Sequence, residues 1–205
     1  MIIIIDGGMG NMGSILNMLK KVGAAARISS DPGDLASADK IILPGVGAFD
    51  QGAKSLRQRG FVAALNKRVI GDSVPLLGIC LGMQLLGESS EEGEESGLGW
   101  VKAYSARFIV DKDRGLTKVP HMGWNEVNFV RKNVLFKDFE PDGRYYFVHS
   151  YHVVCEEPQA IVTTTRYGVP FVSSIQKGNI FGVQFHPEKS HRYGMQLLRN
   201  FAEYA

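Results

Sequence analysis

A cysteine stands between two glycines in Pro75-Leu76-Leu77-Gly78-Ile79-Cys80-Leu81-Gly82-Met83-Gln84-Leu85-Leu86. The apolar run before Cys80 reads as a buried strand, and the run after it favours a helix. A strand that turns sharply into a helix forces the turn residue into a strained, exposed position. The flanking glycines remove the Cβ atoms that would clash there. The helix N-terminus beside the thiol favours a thiolate. This pattern is a nucleophile elbow written with cysteine; inert packing of a buried thiol is the alternative.

Cysteine chemistry needs a base that takes the thiol proton and later returns it to the leaving group. Gly182-Val183-Gln184-Phe185-His186-Pro187-Glu188-Lys189-Ser190 offers one. A strand ends in His186, and Glu188 is spaced to orient the imidazole through its other ring nitrogen. A plain strand-end His-Pro turn is the alternative. A metal set of His186, Glu188 and His191 lacks a further ligand cluster, so no metal is expected. The third segment is Pro44-Gly45-Val46-Gly47-Ala48-Phe49. A glycine-rich turn at the end of a parallel strand can aim the backbone N–H of Val46 or Gly47 at a developing oxyanion, with the N–H of Leu81 beside it. An ordinary turn between strand and helix reads the same way.

These segments need a scaffold that gathers their ends. Ile2 to Ile5 reads as a buried parallel strand. Asn11 to Val22 reads as a helix, with Ile15, Leu16, Met18, Leu19 and Val22 apolar. Ala25 to Ser29, Lys40 to Leu43 and Val74 to Ile79 read as strands, with one or two helices over Asp50 to Leu65 and another opening at Leu81. That alternation implies an α/β fold: a mostly parallel twisted sheet flanked by helices. Ser89 to Gly97 is acidic and reads as a loop. Strand-like runs follow at Ala103 to Val110, Glu126 to Val130, Tyr145 to Val148, His152 to Cys155, Ile161 to Thr165, Phe171 to Gln176 and Ile180 to Phe185. They add antiparallel strands in the C-terminal half. His191 to Tyr204 reads as a final helix. With no repeat and no linker, residues 1–205 are expected to form a single domain.

The composition, 44% hydrophobic and 21% charged, is that of a globular protein with a sizeable core. The net charge is +2 and the basic residues are scattered, so neither nucleic acid nor a membrane surface is expected as a partner. The Ile2 to Ile5 run is too short for a membrane span and lacks the basic flank of a signal peptide, which points to the cytoplasm. Two cysteines are too few for a disulfide framework, and Cys155 in its strand-like run reads as a packed thiol.

Gly-Ile-Cys-Leu-Gly-Met-Gln around Cys80 and Gln-Phe-His-Pro-Glu around His186, in this order, resemble the class I glutamine amidotransferases. The resemblance implies Cys80 as nucleophile, His186 as base and acid, and Glu188 as the orienting carboxylate. It implies Gln84, His149, Ser150 and Tyr151 around a bound glutamine, and no cofactor. Finer segments narrow it: Asp6-Gly7-Gly8-Met9-Gly10-Asn11, Pro120-His121-Met122-Gly123-Trp124-Asn125, Tyr146-Phe147-Val148-His149-Ser150-Tyr151 and His186-Pro187-Glu188-Lys189-Ser190. These look like the glutaminase subunits of imidazole glycerol phosphate synthases, whose (β/α)8-barrel cyclase subunit docks over the glutaminase site. On that resemblance Met122, Trp124, Asn125, Tyr146 and Lys189 are partner-interface positions, and released ammonia passes to the cyclase in histidine biosynthesis. Gly7 stands where that family usually has Tyr, and Trp100 where it usually has Leu. Both departures are expected to bear on the partner, so a paralogous glutaminase serving another synthase, as in surface-sugar amidation, is the alternative.

Rival readings come from other segments. Gly8-Met9-Gly10-Asn11-Met12-Gly13 fits the dinucleotide fingerprint, with Asp31 and Asp34 near the position of a ribose-binding acid. A thiol hydrolase acting on an ester or a γ-glutamyl peptide could use the same elbow, and a catalytically silent regulatory module could carry it unused.

Overall fold

The computed structural model describes residues 1–8, 10–111, 113, 118–138 and 143–205. The N-terminal half alternates as expected: β1 (Ile2–Ile5), α1 (Met12–Lys21), β2 (Ala26–Ser29), β3 (Lys40–Gly45), α2 (Phe49–Gln58), α3 (Phe61–Leu65), β4 (Leu76–Cys80) and α4 (Leu81–Gln84). Then come β5 (Ser89–Ser90), β6 (Ala103–Arg107), β7 (His121–Glu126), β8 (Asn128–Phe129), β9 (Arg144–His149), β10 (Tyr151–Cys155), β11 (Ile161–Tyr167), β12 (Val169–Lys177), β13 (Ile180–Val183) and α5 (His191–Tyr204).

Five strands pair in parallel in the order β2-β1-β3-β4-β13. All four isoleucines of β1 are buried, as in a strand covered on both faces. Ile3 and Ile5 join the core under α2 and α3, with Phe49, Leu56 and Phe61. Ile2 and Ile4 join the core under α1 and α5, with Ile15, Leu19, Leu198 and Phe201. β12 is antiparallel to β13 and also pairs with β10 and β11, so it is the seam between the parallel and antiparallel parts. β7 and β9 form a separate antiparallel pair, with His121 opposite His149 and Trp124 opposite Tyr146.

Three expectations need correction. The strand expected over Glu126 to Val130 is two short pieces, β7 ending at Glu126 and β8 at Asn128–Phe129. Its β7 part starts at His121 because pairing with β9, rather than local propensity, makes it a strand. The loop over Ser89 to Gly97 contains β5, which pairs in parallel with β6. The helix after Cys80 is a single turn, so little macrodipole is available to a thiolate there.

The elbow is held by close approach. A Cβ on Gly82 would lie 1.9 Å from the Leu43 carbonyl oxygen, and one on Gly78 would lie 2.7 Å from the Gly82 carbonyl oxygen. Gly13 on α1 has open space around it. Gly82→Ala is therefore expected to destabilise by at least about 2 kcal/mol, because backbone must move. Gly13→Ala should stabilise by ~0.5–1 kcal/mol through helix propensity. Urea unfolding midpoints of the two variants check both; equal midpoints would contradict the packing of the elbow.

Candidate active site

Three parallel neighbours end together. β3 ends at Gly45 opposite Cys80, the last residue of β4, and β13 ends at Val183 opposite Ile79. Their C-terminal edge therefore presents Val46-Gly47, Cys80-Leu81 and, three residues past β13, His186. Ligand sites of parallel sheets form at this edge. Cys80 has φ 54° and ψ −109°, a conformation that costs a non-glycine residue on the order of 1–3 kcal/mol. The strain expected of an elbow is present, but Cys80 is buried rather than exposed, because it sits under the surrounding cavity wall.

His186 Nδ1 lies 2.7 Å from Glu188 Oε1, and both side chains are at most 3% exposed. The backbone holds the imidazole in place: His186 N–H donates to the Tyr146 carbonyl at 2.9 Å, and Ser190 Oγ donates to the His186 carbonyl at 2.6 Å. Nε2 is buried without a hydrogen-bond partner among the described residues. Burial opposes charge on this ring, but the nearby Cys80 and Glu188 outweigh it and hold the pKa above its ordinary 6.5. A ring that favours its proton is therefore placed beside Cys80. Gln184 Nε2 adds a donor 3.6 Å from Cys80 Sγ.

Cys80 and His186 line a cavity of about 450 Å³ with Val46, Gly47, Leu81, Gln84, His149, Ser150, Tyr151 and Lys189. Every residue expected as nucleophile, base, oxyanion donor or glutamine contact therefore borders one space, except Glu188, which stands behind His186. Gly47 is at φ 103°, which suits glycine. A larger cleft of about 670 Å³, between Phe129 and Gln176, contains none of them.

Glu92, which nothing in the sequence singles out, also lines the cavity. Its Oε2 accepts the Phe49 N–H at 2.8 Å, while Asp50 accepts the Glu94 and Glu95 N–H groups at 3.2 and 3.0 Å. The acidic loop is thereby tied to the start of α2. The only signal was the acidic run itself, which does not say which carboxylate turns inward.

The positions expected at an interface divide. Met122 and Trp124 are exposed. Trp124 meets Tyr146 edge-on at 6.1 Å and stacks on His191 at 5.4 Å, and Lys189 Nζ lies 5.8 Å from the Tyr146 ring centre. Asn125 points to the opposite face of β7 and bonds His121 and the Arg166 carbonyl. Trp100 is a core residue whose Nε1 donates to Asn66 Oδ1 at 2.9 Å, and Gly7 is buried with its carbonyl taken by Ser55. Neither departure is on the aromatic patch.

The rival readings lose their residues to structural roles. Asp34 is bonded to Arg27 and Ser29, and Asp31 caps the following 3-10 turn through the Gly33 N–H. Met9 of the fingerprint lies outside the described residues. His191 stacks on Trp124, and no metal-holding group of His, Cys, Asp and Glu occurs among the described residues. Cys155 donates to the Glu157 carbonyl at 3.4 Å, and burial raises its pKa, which fits a packed thiol.

His149 and His121 behave oppositely to His186. Burial lowers His149 from 6.5 to about 3 and His121 from 6.5 to about 4. The unfolded chain, with both near 6.5, binds more protons than the folded chain below that pH. Stability must therefore fall as pH drops from about 6.5 toward the folded values. His186 has the reverse sign: its contribution is complete below about 6.5 and is lost as pH rises through its raised folded pKa. The urea midpoint is expected to fall between about pH 6.5 and 5, where few carboxylates titrate, and to fall less steeply in His149→Gln. A midpoint flat across that interval would contradict two buried neutral histidines.

Residues 3–204 match the family model described as glutamine amidotransferase class-I. The chain is 52% identical over 205 residues to imidazole glycerol phosphate synthase subunit HisH 2 of Methanococcus maripaludis, covering 100% of both chains. It is 49% identical over 203 residues to the subunit HisH 2 of Pseudomonas aeruginosa, covering 99% of both. It is 44% identical to the subunit HisH of Leptospira interrogans, over 98% of this chain and 99% of that one. Among solved structures, PurLQS from Thermotoga maritima superposes with a TM-score of 0.77 at 17% identity, over 99% of this chain and 97% of that one. The glutaminase domain of Trypanosoma brucei CTPS gives 0.66 at 18%, over 98% and 93%. The structural likenesses show the fold, the expected parallel sheet with antiparallel additions, and the full-length match shows the family: this chain belongs to the class I glutamine amidotransferases.

Proposed function

We propose that the chain is the glutaminase subunit of an imidazole glycerol phosphate synthase, a cytoplasmic enzyme of histidine biosynthesis, acting as a single domain in a heterodimer. The observation that carries the chemistry is the buried His186–Glu188 pair, which leaves Nε2 unbonded next to a strained Cys80. Glutamine enters the cavity with its ammonium group toward Glu92 and its carboxylate toward Lys189. Cys80 thiolate attacks the side-chain amide carbon, and the oxygen takes up negative charge against backbone N–H groups of Val46, Gly47 and Leu81. Collapse breaks the C–N bond as His186 gives its proton to the nitrogen, releasing ammonia and leaving a γ-glutamyl thioester. His186 then takes a proton from water, whose oxygen displaces the thiolate and yields glutamate.

Ammonia is useful only if it reaches an acceptor unprotonated. The exposed patch of Met122, Trp124, Tyr146 and Lys189 supports docking of a (β/α)8-barrel cyclase beside the cavity, which would receive the ammonia. Its aromatic content suits an interface. The full-length likeness to three subunits named for that synthase supports the same partner. A second reading has one observation in its favour: the relatives at 52% and 49% identity are both named HisH 2. A paralogue would perform the same hydrolysis for a different synthase, as in surface-sugar amidation.

Cys80→Ala should lower glutaminase turnover at least ~10³-fold, and diazo-oxonorleucine should label Cys80 in the parent. Retained turnover in Cys80→Ala would refute the thioester route, and an ester or γ-glutamyl peptide hydrolase would fail the labelling. Glu92→Gln should raise KM for glutamine by about tenfold with a smaller change in kcat, because a charged hydrogen bond to the substrate is lost. An unchanged KM would remove Glu92 from the binding site. Copurification with the cyclase barrel, together with ammonia transfer to its ribotide acceptor, separates the two synthases; absence of both favours the paralogue.

A further inference from the structure

β7 has two faces. Met122 and Trp124 lie on the exposed patch, whereas His121 and Asn125 turn inward. The inward side begins a line of hydrogen bonds whose direction is fixed at both ends. Asn125 Oδ1 accepts the Glu126 N–H at 2.9 Å, and Asn125 Nδ2 donates to the Arg166 carbonyl at 2.9 Å. A backbone N–H only donates and a carbonyl only accepts, so the amide has one orientation. Nδ2 also lies 3.2 Å from His121 Nε2, which must therefore be the acceptor and carry no proton. The proton of the neutral ring is on Nδ1, which donates to His149 Nε2 at 3.1 Å. His149 Nδ1 in turn donates to the Tyr151 carbonyl at 2.8 Å. Starting from that carbonyl leads to the same arrangement. A second proton on either ring would set two donors face to face or displace the Asn125 amide.

The Tyr151 carbonyl also accepts Gln84 Nε2 at 3.1 Å, and Gln84 Nε2 lies 3.2 Å from Gln184 Oε1. With its nitrogen engaged twice, Gln84 offers its oxygen as the acceptor on the cavity wall. His121 is also held between the rings of Phe147 and Tyr167, with centroids 4.7 and 4.1 Å away, so it cannot turn over freely.

We infer that His121 and His149 are positioning residues for glutamine: a one-way hydrogen-bond line from Asn125 through both rings to the Tyr151 carbonyl orients Gln84 and couples the docking strand to the substrate pocket. This inference rests on the proposed function for the identity of substrate and partner. Burial supports it, since both histidines stay neutral at physiological pH. A partner pressing on the outer face of β7 would move the head of the line, and the pocket wall would follow.

The test is Asn125→Asp in the full chain. The carboxylate cannot donate, so His121 Nε2 must carry a proton, and burial, which opposes charge on this ring, draws it from Nδ1 rather than adding a second. Its bare Nδ1 then faces His149 Nε2, which draws the second proton across and leaves the Tyr151 carbonyl without its imidazole donor. Asn125→Ala removes the first donor but leaves the tautomers set by that carbonyl. Long-range ¹H–¹⁵N spectra of the parent should show both rings protonated at Nδ1, and the pattern should reverse in Asn125→Asp. The rate constant for alkylation of Cys80 by diazo-oxonorleucine should fall about tenfold in Asn125→Asp and less in Asn125→Ala, because only the aspartate opposes acceptor to acceptor. Nε2-protonated or charged rings in the parent, unchanged tautomers in Asn125→Asp, or an alanine variant slower than the aspartate would each overturn the inference. A parent that is not alkylated at all would defeat the glutaminase reading, and the spectra would still decide the line.

Discussion

The lateral pairing of β3, β4 and β13 is the constraint on which the site depends. Parallel neighbours in register must end at a common edge, and here that edge gathers residues from three distant parts of the chain: Val46 and Gly47, Cys80 and Leu81, and His186. The close contact of Gly82 with the Leu43 carbonyl fixes the angle at which the chain leaves β4. The sheet therefore determines where Cys80 is, and the turn determines how its thiol is presented.

Three histidines within one region of the fold are driven in different directions by the same burial. His186 has an anionic neighbour on one side and a thiol on the other, so charge survives desolvation. His121 and His149 have only neutral partners and remain neutral. The difference lies in what each ring nitrogen meets, and it separates a group suited to moving protons from a pair suited to holding geometry.

Much of this was legible in the residues. Glycines around Cys80, the His-Pro-Glu turn and the alternating N-terminal elements each carry a local physical reason, and the structure places them as that reason requires. Residues whose role depends on tertiary pairing were less accessible. β7 is a strand because β9 lies beside it, and its register turns Asn125 inward rather than toward the exposed patch. Glu92 sits among several similar acids and is singled out only by its bond to the Phe49 N–H. Trp100, set against the Leu usual in the resembled family, reads as a departure bearing on the partner; its contact with Asn66 makes it part of the core.

β13 lies between β4 and β12, yet it is the last strand of the chain. During synthesis the elbow and its thiol leave the ribosome roughly a hundred residues before His186 does, with β4 still an open edge. The strand that closes that edge is the one that delivers His186. On the proposed mechanism, completion of the sheet and activation of the cysteine are one event, so a nascent chain would carry the thiol without its base rather than act as an unregulated source of ammonia.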